Sequence, residues 1–192
     1  ADNGGMSASN QYRGINHPRN TLDSRFASSN LPLRGAKGWN YEGGIRVPLI
    51  VYWPGRTKAN ITSQALVTGT DYYPTLLEML DLPAMPEQHL DGMSFVPALE
   101  GQPHERGPIF WHFPHYSNHG YQSPNGAVRS GNHKLIEYYE NGTIQLFDLE
   151  EDIGERNNLA DREPEVAGRL LARLRNWRRK VDAKMPAVKK SK

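Results

Sequence analysis

Three groups of residues have the types and spacing to do chemistry on an anionic ligand. Asp2 and Asn3 place a carboxylate beside an amide, directly before two glycines, and such hard oxygen ligands are those that calcium and magnesium prefer. Lys37 stands between two nearby glycines, where its ammonium group could pair with a sulfate or phosphate oxygen. His112 and His115 lie among aromatic residues in the segment WHFPHY, and imidazoles so spaced could bind a metal, move protons or contact an anion.

Each group also has a plainer interpretation. The sequence DNGG is a good type I′ turn, and its spacing alone favours a turn over a ligand pair. Lysines in glycine-rich loops are usually only solvated, and the GxxxxGK[ST] spacing of a Walker loop is missing around Lys37. His112 and His115 would fit a strand end with partly buried aromatic side chains as well as a ligand-contacting loop. The residue types alone leave these alternatives open.

The composition is that of a globular chain without strong overall charge. The 192 residues include 37% hydrophobic and 23% charged residues with a net charge of +2, which fits one sizeable domain, or one domain with a small appendage. Cysteine is absent, which removes disulfides, thiolate metal sites and cysteine nucleophiles. There is no run of 18 apolar residues that could span a membrane. The sequence starts without methionine, so a targeting segment could precede it.

Two elements are expected to position the first half of the chain. Residues 46–53 (RVPLIVYW) are β-branched and aromatic without alternation, which is typical of a strand buried on both faces. A helix is predicted from an N-cap at Thr70 or Asp71 to the Leu-Pro pair at 82–83. Residues 6–30 are polar and aperiodic, and they indicate a long loop. The apolar face of the predicted helix, expected in the core, consists of Tyr72, Leu76, Leu77 and Leu80.

The second half predicts a small α+β unit. Asparagine–glycine signals at 131–132 and 141–142 separate short β-like runs and favour hairpins. A helix is predicted from about Glu163 to Ala183, because apolar residues recur at three- and four-residue spacing along one stripe. The stripe, which is expected to pack on the sheet, consists of Val166, Leu170, Leu171, Leu174, Trp177 and Val181. The predicted strands are 108–113, 126–130, 133–139 and 143–147.

Six motifs follow one another along the sequence: ADNGG, LPLRGAKGWNYEGGIRVPLIVYWPG, TDYYPTLLEML, DGMSFVPAL, AVRSGNHKLI and LFDLEEDIGERNNLA. In this order they closely resemble the C-terminal part of the type I, formylglycine-dependent sulfatases (arylsulfatases) of the alkaline phosphatase superfamily. The resemblance runs from Ala1 to about Trp177. It implies an α/β fold with three parts: the end of the sulfatase catalytic domain (1–107), a subdomain of antiparallel sheet packed by a C-terminal helix (108–185) and a disordered tail (186–192).

The resemblance also implies roles for the candidate residues. Asp2 and Asn3 match the family's final pair of metal ligands, usually for calcium. Lys37 matches the lysine that contacts the sulfate group, and it is the expected catalytic residue of this chain. His112 and His115 lie in a segment similar to one that may reach the substrate in many bacterial carbohydrate sulfatases, so they are expected to bind substrate.

Further positions match the family or depart from it at single residues. Glu42 and Arg46 match its EGG-R segment, for which a structural role is inferred. Ala1 stands where serine or threonine is common, and Ala36 stands where glycine is usual. Neither change removes a ligand.

Much of the family's catalytic apparatus does not occur in this sequence. The C/S-x-P-x-R signature that matures to the formylglycine nucleophile is missing, as are the first two metal-ligating aspartates and the N-terminal lysine and histidine. The resemblance therefore implies that formylglycine lies in a missing N-terminal part of the same protein, which would be a partner of this chain. The isolated chain is expected to be inactive. In the family, such proteins are periplasmic or secreted.

The expected function is hydrolysis of a sulfate ester, and the expected substrate is a sulfated small molecule or carbohydrate, with no nucleic acid partner. Two other functions stay open. A phosphonate or phosphate monoester hydrolase of the same superfamily would use the same lysine and an oxygen-ligated metal. A non-catalytic module that binds anionic glycans would use the basic helix at 169–184 and the aromatic residues of WHFPHY.

Overall fold

The computed structural model describes residues 4–5, 29–116 and 122–187. Among these residues the chain divides into two compact units. One unit is the segment Pro48–Gly107, and the other is formed by the described residues on both sides of it. The ligand candidates Asp2 and Asn3, most of the loop expected over 6–30 and the end of the expected tail lie outside the described residues. The domain division that the resemblance implies stays a prediction.

Strands and helices make up the regular structure of the described residues. The strands are β1 (Ile109–Phe113), β2 (Asn125–Ser130), β3 (His133–Tyr138) and β4 (Ile144–Asp148). The helices are α1 (Glu42–Ile45), α2 (Tyr72–Met79), α3 (Val96–Leu99) and α4 (Pro164–Lys180), and a 3₁₀ turn, Gly69–Asp71, leads into α2. No helix in this part of the chain is long and apolar enough to cross a bilayer.

The larger unit is built on an antiparallel sheet with the strand order β1-β2-β3-β4. Tight turns join β2 to β3 and β3 to β4. They contain Gly131 and Gly142, with φ angles of 60° and 69°, and glycine adopts this left-handed conformation without steric cost. The structure confirms the predicted strands and both hairpins, with each strand end within one residue of its expected position.

Helix α4 covers one face of this sheet, as its apolar stripe predicted. Phe110 of β1 stacks on Trp177 of α4 with ring centroids 4.9 Å apart. Full burial of a valine or leucine side chain in the core between helix and sheet contributes roughly 1.5–3 kcal/mol to stability. The helix ends at Lys180 and Val181 is exposed, so the buried stripe ends at Trp177. The core on this face consists of Val128, Leu135, Leu146, Ala160, Ala167, Leu170 and Leu174.

The opposite face of the sheet is covered by the loop that carries Lys37. Tyr41 is buried there against Ile136 and Phe147, and its ring stacks on Trp39 with centroids 5.5 Å apart. Successive side chains of a strand point to opposite faces. Adjacent residues along β2, and likewise along β3, therefore belong to two different cores. The sheet therefore supports the α4 helix with one face and the Lys37 loop with the other.

The unit Pro48–Gly107 is organised around Asp71, whose carboxylate is buried. One carboxylate oxygen accepts the backbone N–H of Thr68 at 2.8 Å. The other accepts the backbone N–H of Met93 at 2.9 Å and pairs with the Arg106 guanidinium at 2.9 Å. These contacts join the start of α2 to the segments before and after it. The helix predicted at this place is present, but it ends at Met79, before the expected Leu-Pro pair at 82–83.

The strand expected over residues 46–53 is absent from the structure. The segment has no strand hydrogen bonding, and Ile50 and Tyr52 are 92% and 83% exposed. A strand buried on both faces needs a hydrogen-bonded neighbour on each side and a layer above and below it. The described residues of Pro48–Gly107 contain no strand that could pair with this segment. A hydrophobic pattern alone is therefore not enough to predict a strand here.

The apolar face of α2 was also expected in the core, and this expectation is wrong for the described residues. The buried side chains of α2 are Pro74 and Thr75. The Thr75 hydroxyl accepts the backbone N–H of Phe95 at 3.1 Å, so the helix packs on the next segment through a polar contact. Leu76 and Leu80 on the other side are exposed.

Candidate functional site

Lys37 lies in a tight turn whose shape depends on two glycines. The φ angles of Gly35 and Gly38 are +77° and +92°, values that side chains of L-residues rarely tolerate. The backbone N–H of Trp39 donates to the carbonyl oxygen of Ala36 at 3.0 Å and closes the turn around Lys37. The two glycines therefore set the shape of the loop around Lys37.

The glycines that follow Asp2 and Asn3 contact α1 and this loop directly. Gly4 donates its N–H to the carbonyl oxygen of Gly44 at 3.0 Å, and Lys37 donates its N–H to the carbonyl oxygen of Gly5 at 3.2 Å. The structure thus brings together the two segments that the sequence predicted as site elements. A Cβ on Gly4 would lie 1.8 Å from the carbonyl oxygen of Gly43. Close backbone approach therefore requires glycine at this position.

Asn30 links the same two segments through its side chain, a role that the sequence analysis did not predict. Its Oδ1 accepts the N–H of Gly5 at 3.2 Å, and its Nδ2 donates to the carbonyl oxygens of Gly5 and Gly35 at 3.0 and 3.3 Å. One amide thus bridges the segment after the metal-ligand candidates and the loop before Lys37. An asparagine at the end of a polar loop gives no signal of this in the sequence.

Helix α1 packs against the Lys37 loop with no space for side chains. A Cβ on Gly43 would lie 2.4 Å from the carbonyl oxygen of Gly35, and a Cβ on Gly44 would lie 2.0 Å from that of Trp39. Real Cβ atoms are not found this close to other atoms. The double glycine of the EGG-R segment therefore has the structural role that was inferred for it.

Three charged side chains, one of them from α1, are buried together. Glu42, Lys134 and Glu155 are 1%, 0% and 0% exposed. The ammonium Nζ of Lys134 lies 3.1 Å from Oε1 of Glu42 and 2.9 Å from Oε1 of Glu155. The second carboxylate oxygen of Glu155 accepts the backbone N–H of Glu42 at 2.7 Å. Removing one partner of such a buried pair costs about 3–5 kcal/mol, because it leaves an uncompensated charge.

Arginines extend this buried cluster to both sides. A guanidinium nitrogen of Arg129 lies 3.2 Å from Oε2 of Glu42, and Arg34 donates to the backbone carbonyl of Glu155 at 2.7 Å. Burial raises the pKa of the Glu155 carboxyl, and the ammonium of Lys134 opposes that effect. Burial lowers the pKa of the Arg129 guanidinium, which the Glu42 carboxylate opposes. The cations and carboxylates thus compensate one another where water is excluded.

Buried amides fix the middle of the loop to the start of β2. The N–H of Asn40 donates to Oε1 of Gln122 at 2.6 Å, and its side-chain amide donates to Oδ1 of Asn125 at 2.7 Å. All three residues are buried. Tyr41 adds a hydrogen bond from its hydroxyl to Oε1 of Gln145 at 2.7 Å. Side-chain amides therefore satisfy polar groups that would otherwise be costly to bury.

Of these residues, only Lys134 is indicated by the sequence pattern. It lies in the predicted strand HKLIEYY, two residues before Ile136, so alternation places both side chains on one face of the sheet. Lysine is almost never fully buried without a partner. A lysine at an inward position therefore indicates a buried acidic partner, although the sequence does not say which.

The structure places His112 and His115 at the first strand and just after it. Nδ1 of His112 lies 2.7 Å from the Tyr139 hydroxyl oxygen, and Nε2 lies 2.9 Å from the carbonyl oxygen of Lys184. His115 is exposed and lies edge-to-face on Phe113 with ring centroids 6.0 Å apart. These contacts are with the C-terminal segment and neighbouring aromatic residues, and none of them involves the Lys37 loop.

The donor chemistry at the start of the chain fits a hard cation. Asp2 and Asn3 offer one carboxylate and one amide oxygen, which is the ligand type of calcium, and the next two residues are anchored to the Lys37 loop. Within residues 4–5, 29–116 and 122–187, no cluster of three or more histidine or acidic side chains could hold a metal ion. Calcium takes about six to eight oxygen ligands, so Asp2 and Asn3 would need others to complete a site.

Comparison with known proteins identifies the family. Residues 36–180 match the family model described as N-sulphoglucosamine sulphohydrolase, C-terminal. A protein of Formosa agariphila named Sulfatase is 33% identical over 166 residues, which cover 78% of this chain and 30% of that protein. Human arylsulfatase A is 30% identical over 196 residues, which cover 88% of this chain and 37% of that protein.

Solved structures agree with this assignment. The crystal structure of Ps i-CgsB in complex with k-i-k-neocarrahexaose is similar with a TM-score of 0.68 at 26% identity, over 80% of this chain and 33% of that chain. The chain spans about a third of the length of these relatives. Because the family model covers most of its length, the chain belongs to the sulfatase family, whose C-terminal domain it contains.

Proposed function

We propose that this chain is the C-terminal portion of an enzyme that hydrolyses the sulfate ester of a carbohydrate. The observation that carries the proposal is the backbone contact between Gly5 and Lys37. It joins the segment that begins with two oxygen ligands to the loop that presents a cation. An anion held between a metal ion and an ammonium group is the arrangement that sulfate transfer needs.

Lys37 is the residue of this chain proposed to act on the reacting group. Its ammonium would contact a sulfate oxygen and stabilise negative charge that develops there during transfer. Such a charge is most effective when its position is fixed before the reaction. The glycine turn, the contact with Gly5 and the packing of α1 provide that rigidity for the loop backbone.

Asp2 and Asn3 are proposed as two ligands of a divalent cation, for which calcium is the best candidate by ligand type. When bound, this ion would stabilise negative charge on the sulfate group. The nucleophile is expected to be a formylglycine elsewhere in the protein, because this sequence contains no C/S-x-P-x-R signature. The chain would thus supply binding and charge stabilisation.

A carbohydrate substrate is supported by two of the comparisons. The matching family model is described as a sulphohydrolase of N-sulphoglucosamine, and Ps i-CgsB was solved with k-i-k-neocarrahexaose. His115 is exposed beside Tyr116, where it could donate to a sugar hydroxyl or a sulfate oxygen. His112 is proposed to join it, and it would have to exchange its hydrogen bond with Lys184 for one with the substrate.

The test compares substitutions of two lysines in the full-length enzyme. Lys37→Ala is expected to lower kcat/KM for an aryl sulfate by about 10²–10³-fold, the effect of losing one fixed charge-stabilising donor. Lys58→Ala, at an exposed position, is the matched control and should retain activity. Equal activity of the two variants would contradict the role of Lys37. The ratio of sulfate to phosphate monoester rates, measured on the unsubstituted enzyme, separates a sulfatase from a phosphatase of the same superfamily.

A further inference from the structure

The buried cluster of Glu42, Lys134 and Glu155 connects distant parts of the chain at one point. Glu42 begins α1, Lys134 lies within β3, and Glu155 lies in the acidic loop after β4. Each carboxylate is within 3.1 Å of the same ammonium nitrogen. The second half of the chain therefore reaches the loop that carries Lys37 through a defined set of polar contacts.

Stability alone is a weak explanation for this arrangement. Taking charges out of water is expensive, and apolar side chains of similar volume often serve as well or better in a protein core. A buried ion cluster, however, restricts the relative positions of its side chains, because each donor must lie within hydrogen-bond distance of its acceptor. Its distinguishing property is therefore that it fixes the position of the backbone to which it is bonded.

That backbone belongs to α1. Oε2 of Glu155 accepts the N–H of Glu42, the first residue of the helix. The N–H of Gly43 donates to the carbonyl oxygen of Arg34 at 2.7 Å, and the carbonyl of Gly44 receives the N–H of Gly4. The double glycine leaves no space between α1 and the Lys37 loop. A shift of α1 would therefore be passed to both the loop and the segment after Asp2 and Asn3.

We propose that Lys134 and Glu155 are positioning residues, which hold α1 so that the Lys37 loop and the Gly4-Gly5 segment keep a fixed separation. Both side chains are fully buried, so their proposed action is through α1 and not on the substrate. The proposal rests on the proposed function in naming Lys37 as the sulfate contact. A misplacement of reacting groups by about 1 Å can cost on the order of 100-fold in rate, so the effect of losing the cluster is measurable.

The test uses the full-length enzyme with Lys134→Met combined with Glu155→Leu, a pair that removes one positive and one negative charge and keeps the volume of the core. We expect kcat to fall about 10- to 100-fold with KM within threefold. Glu155→Gln is the conservative variant, because its amide oxygen can still accept the N–H of Glu42 while the Lys134 ammonium keeps Glu42 as its carboxylate. Its kcat should fall less than that of the double variant.

Hydrogen exchange supplies a readout that does not depend on turnover. The Lys37 amide, which donates to Gly5, should exchange faster in the double variant, while amides within α4 keep their protection. Unchanged exchange at Lys37, an unchanged kcat, or a parallel rise of exchange in α4 would each overturn the proposal. If instead Lys37→Ala leaves activity intact, the proposed function fails, and the exchange of the Lys37 amide still tests whether the cluster positions the loop.

Discussion

The backbone N–H of Lys37 donates a hydrogen bond to the carbonyl oxygen of Gly5 at a distance of 3.2 Å. Gly5 closely follows Asp2 and Asn3 in the sequence. The segment proposed to hold a cation and the loop proposed to contact sulfate are therefore neighbours through the main chain. Glycine substitutions are the direct means to disturb this contact.

Gly43→Ala is expected to lower activity and to destabilise the larger unit by about 1–3 kcal/mol, the usual cost of inserting a methyl group into a packed region. The new Cβ would lie 2.4 Å from the carbonyl oxygen of Gly35. Gly168→Ala is the matched control, because Gly168 is exposed within α4 and a Cβ there meets nothing within 4 Å. It should stabilise the protein by about 0.5–1 kcal/mol. Denaturant unfolding measures both, and equal effects would contradict the packing argument.

The purified 192-residue chain is expected to show no hydrolysis of an aryl sulfate, because its sequence lacks the C/S-x-P-x-R signature of the nucleophile. Covalent catalysis requires such an atom. The measurement is a stopped assay at high protein concentration with calcium present. Either a stoichiometric burst or steady turnover would disprove this prediction.

Arg106→Met is expected to destabilise the unit Pro48–Gly107 by about 3–5 kcal/mol, because it leaves the buried Asp71 carboxylate without its cation. Arg56→Met removes the guanidinium of the more exposed pair with Glu100 and should cost less than about 1 kcal/mol. Thermal unfolding of the two variants gives the comparison. A loss of similar size in both would show that burial of Asp71 does not matter.

Tyr138 is expected to ionise late in an alkaline titration. Burial, with the hydrogen bond to Tyr41, raises the pKa of its phenol above the ordinary value of 10.0. The folded state therefore holds this proton where the unfolded state has lost it. The stability contributed by Tyr138 is present below pH 10.0 and is lost as the pH rises through the higher pKa of the folded state.

The absorbance of tyrosinate, followed from neutral pH through alkaline unfolding, measures this titration. Tyr138→Phe should remove one late-ionising group and leave the earlier part of the curve unchanged. A variant curve that loses an early-ionising group instead would contradict the assignment.

His115→Ala is expected to raise KM for a sulfated oligosaccharide several-fold and to leave KM for a small aryl sulfate unchanged, because only the larger substrate would reach the exposed imidazole. His112→Ala should affect the oligosaccharide as well and also release the carbonyl of Lys184. Salt-sensitive glycan binding that both substitutions abolish and Lys37→Ala does not affect would favour the non-catalytic binding module.

The sheet and α4 could be predicted because their patterns are local. Two hairpin signals separate the strands, and Leu170 and Leu174 recur at helical spacing in a segment that packs on one surface. The segment 46–53 has an equally clear hydrophobic pattern and forms no strand, since a sheet needs partners that a single segment cannot specify.

The candidate site was predictable in part for a related reason. Lys37 and the glycines around it form a short local motif. Its place after Asp2 and Asn3 in a series of sulfatase-like motifs made it a candidate. The groups that hold the loop were missed, because Glu155 and Lys134 are far from Glu42 in the sequence. Ion pairs between residues far apart in the sequence have no characteristic spacing, so a sequence pattern does not identify the partners.

The two different coverings of the sheet have a consequence for how the strands find their alignment. Leu135 faces the α4 core and Ile136 faces the Lys37 loop. A slip of β3 by one residue would exchange these faces, and the ammonium of Lys134 would then enter the aliphatic core under α4 without a carboxylate. Burying an unpaired charge costs several kcal/mol. Lys134 therefore also penalises a misaligned sheet, because only the correct register brings its ammonium to both Glu42 and Glu155.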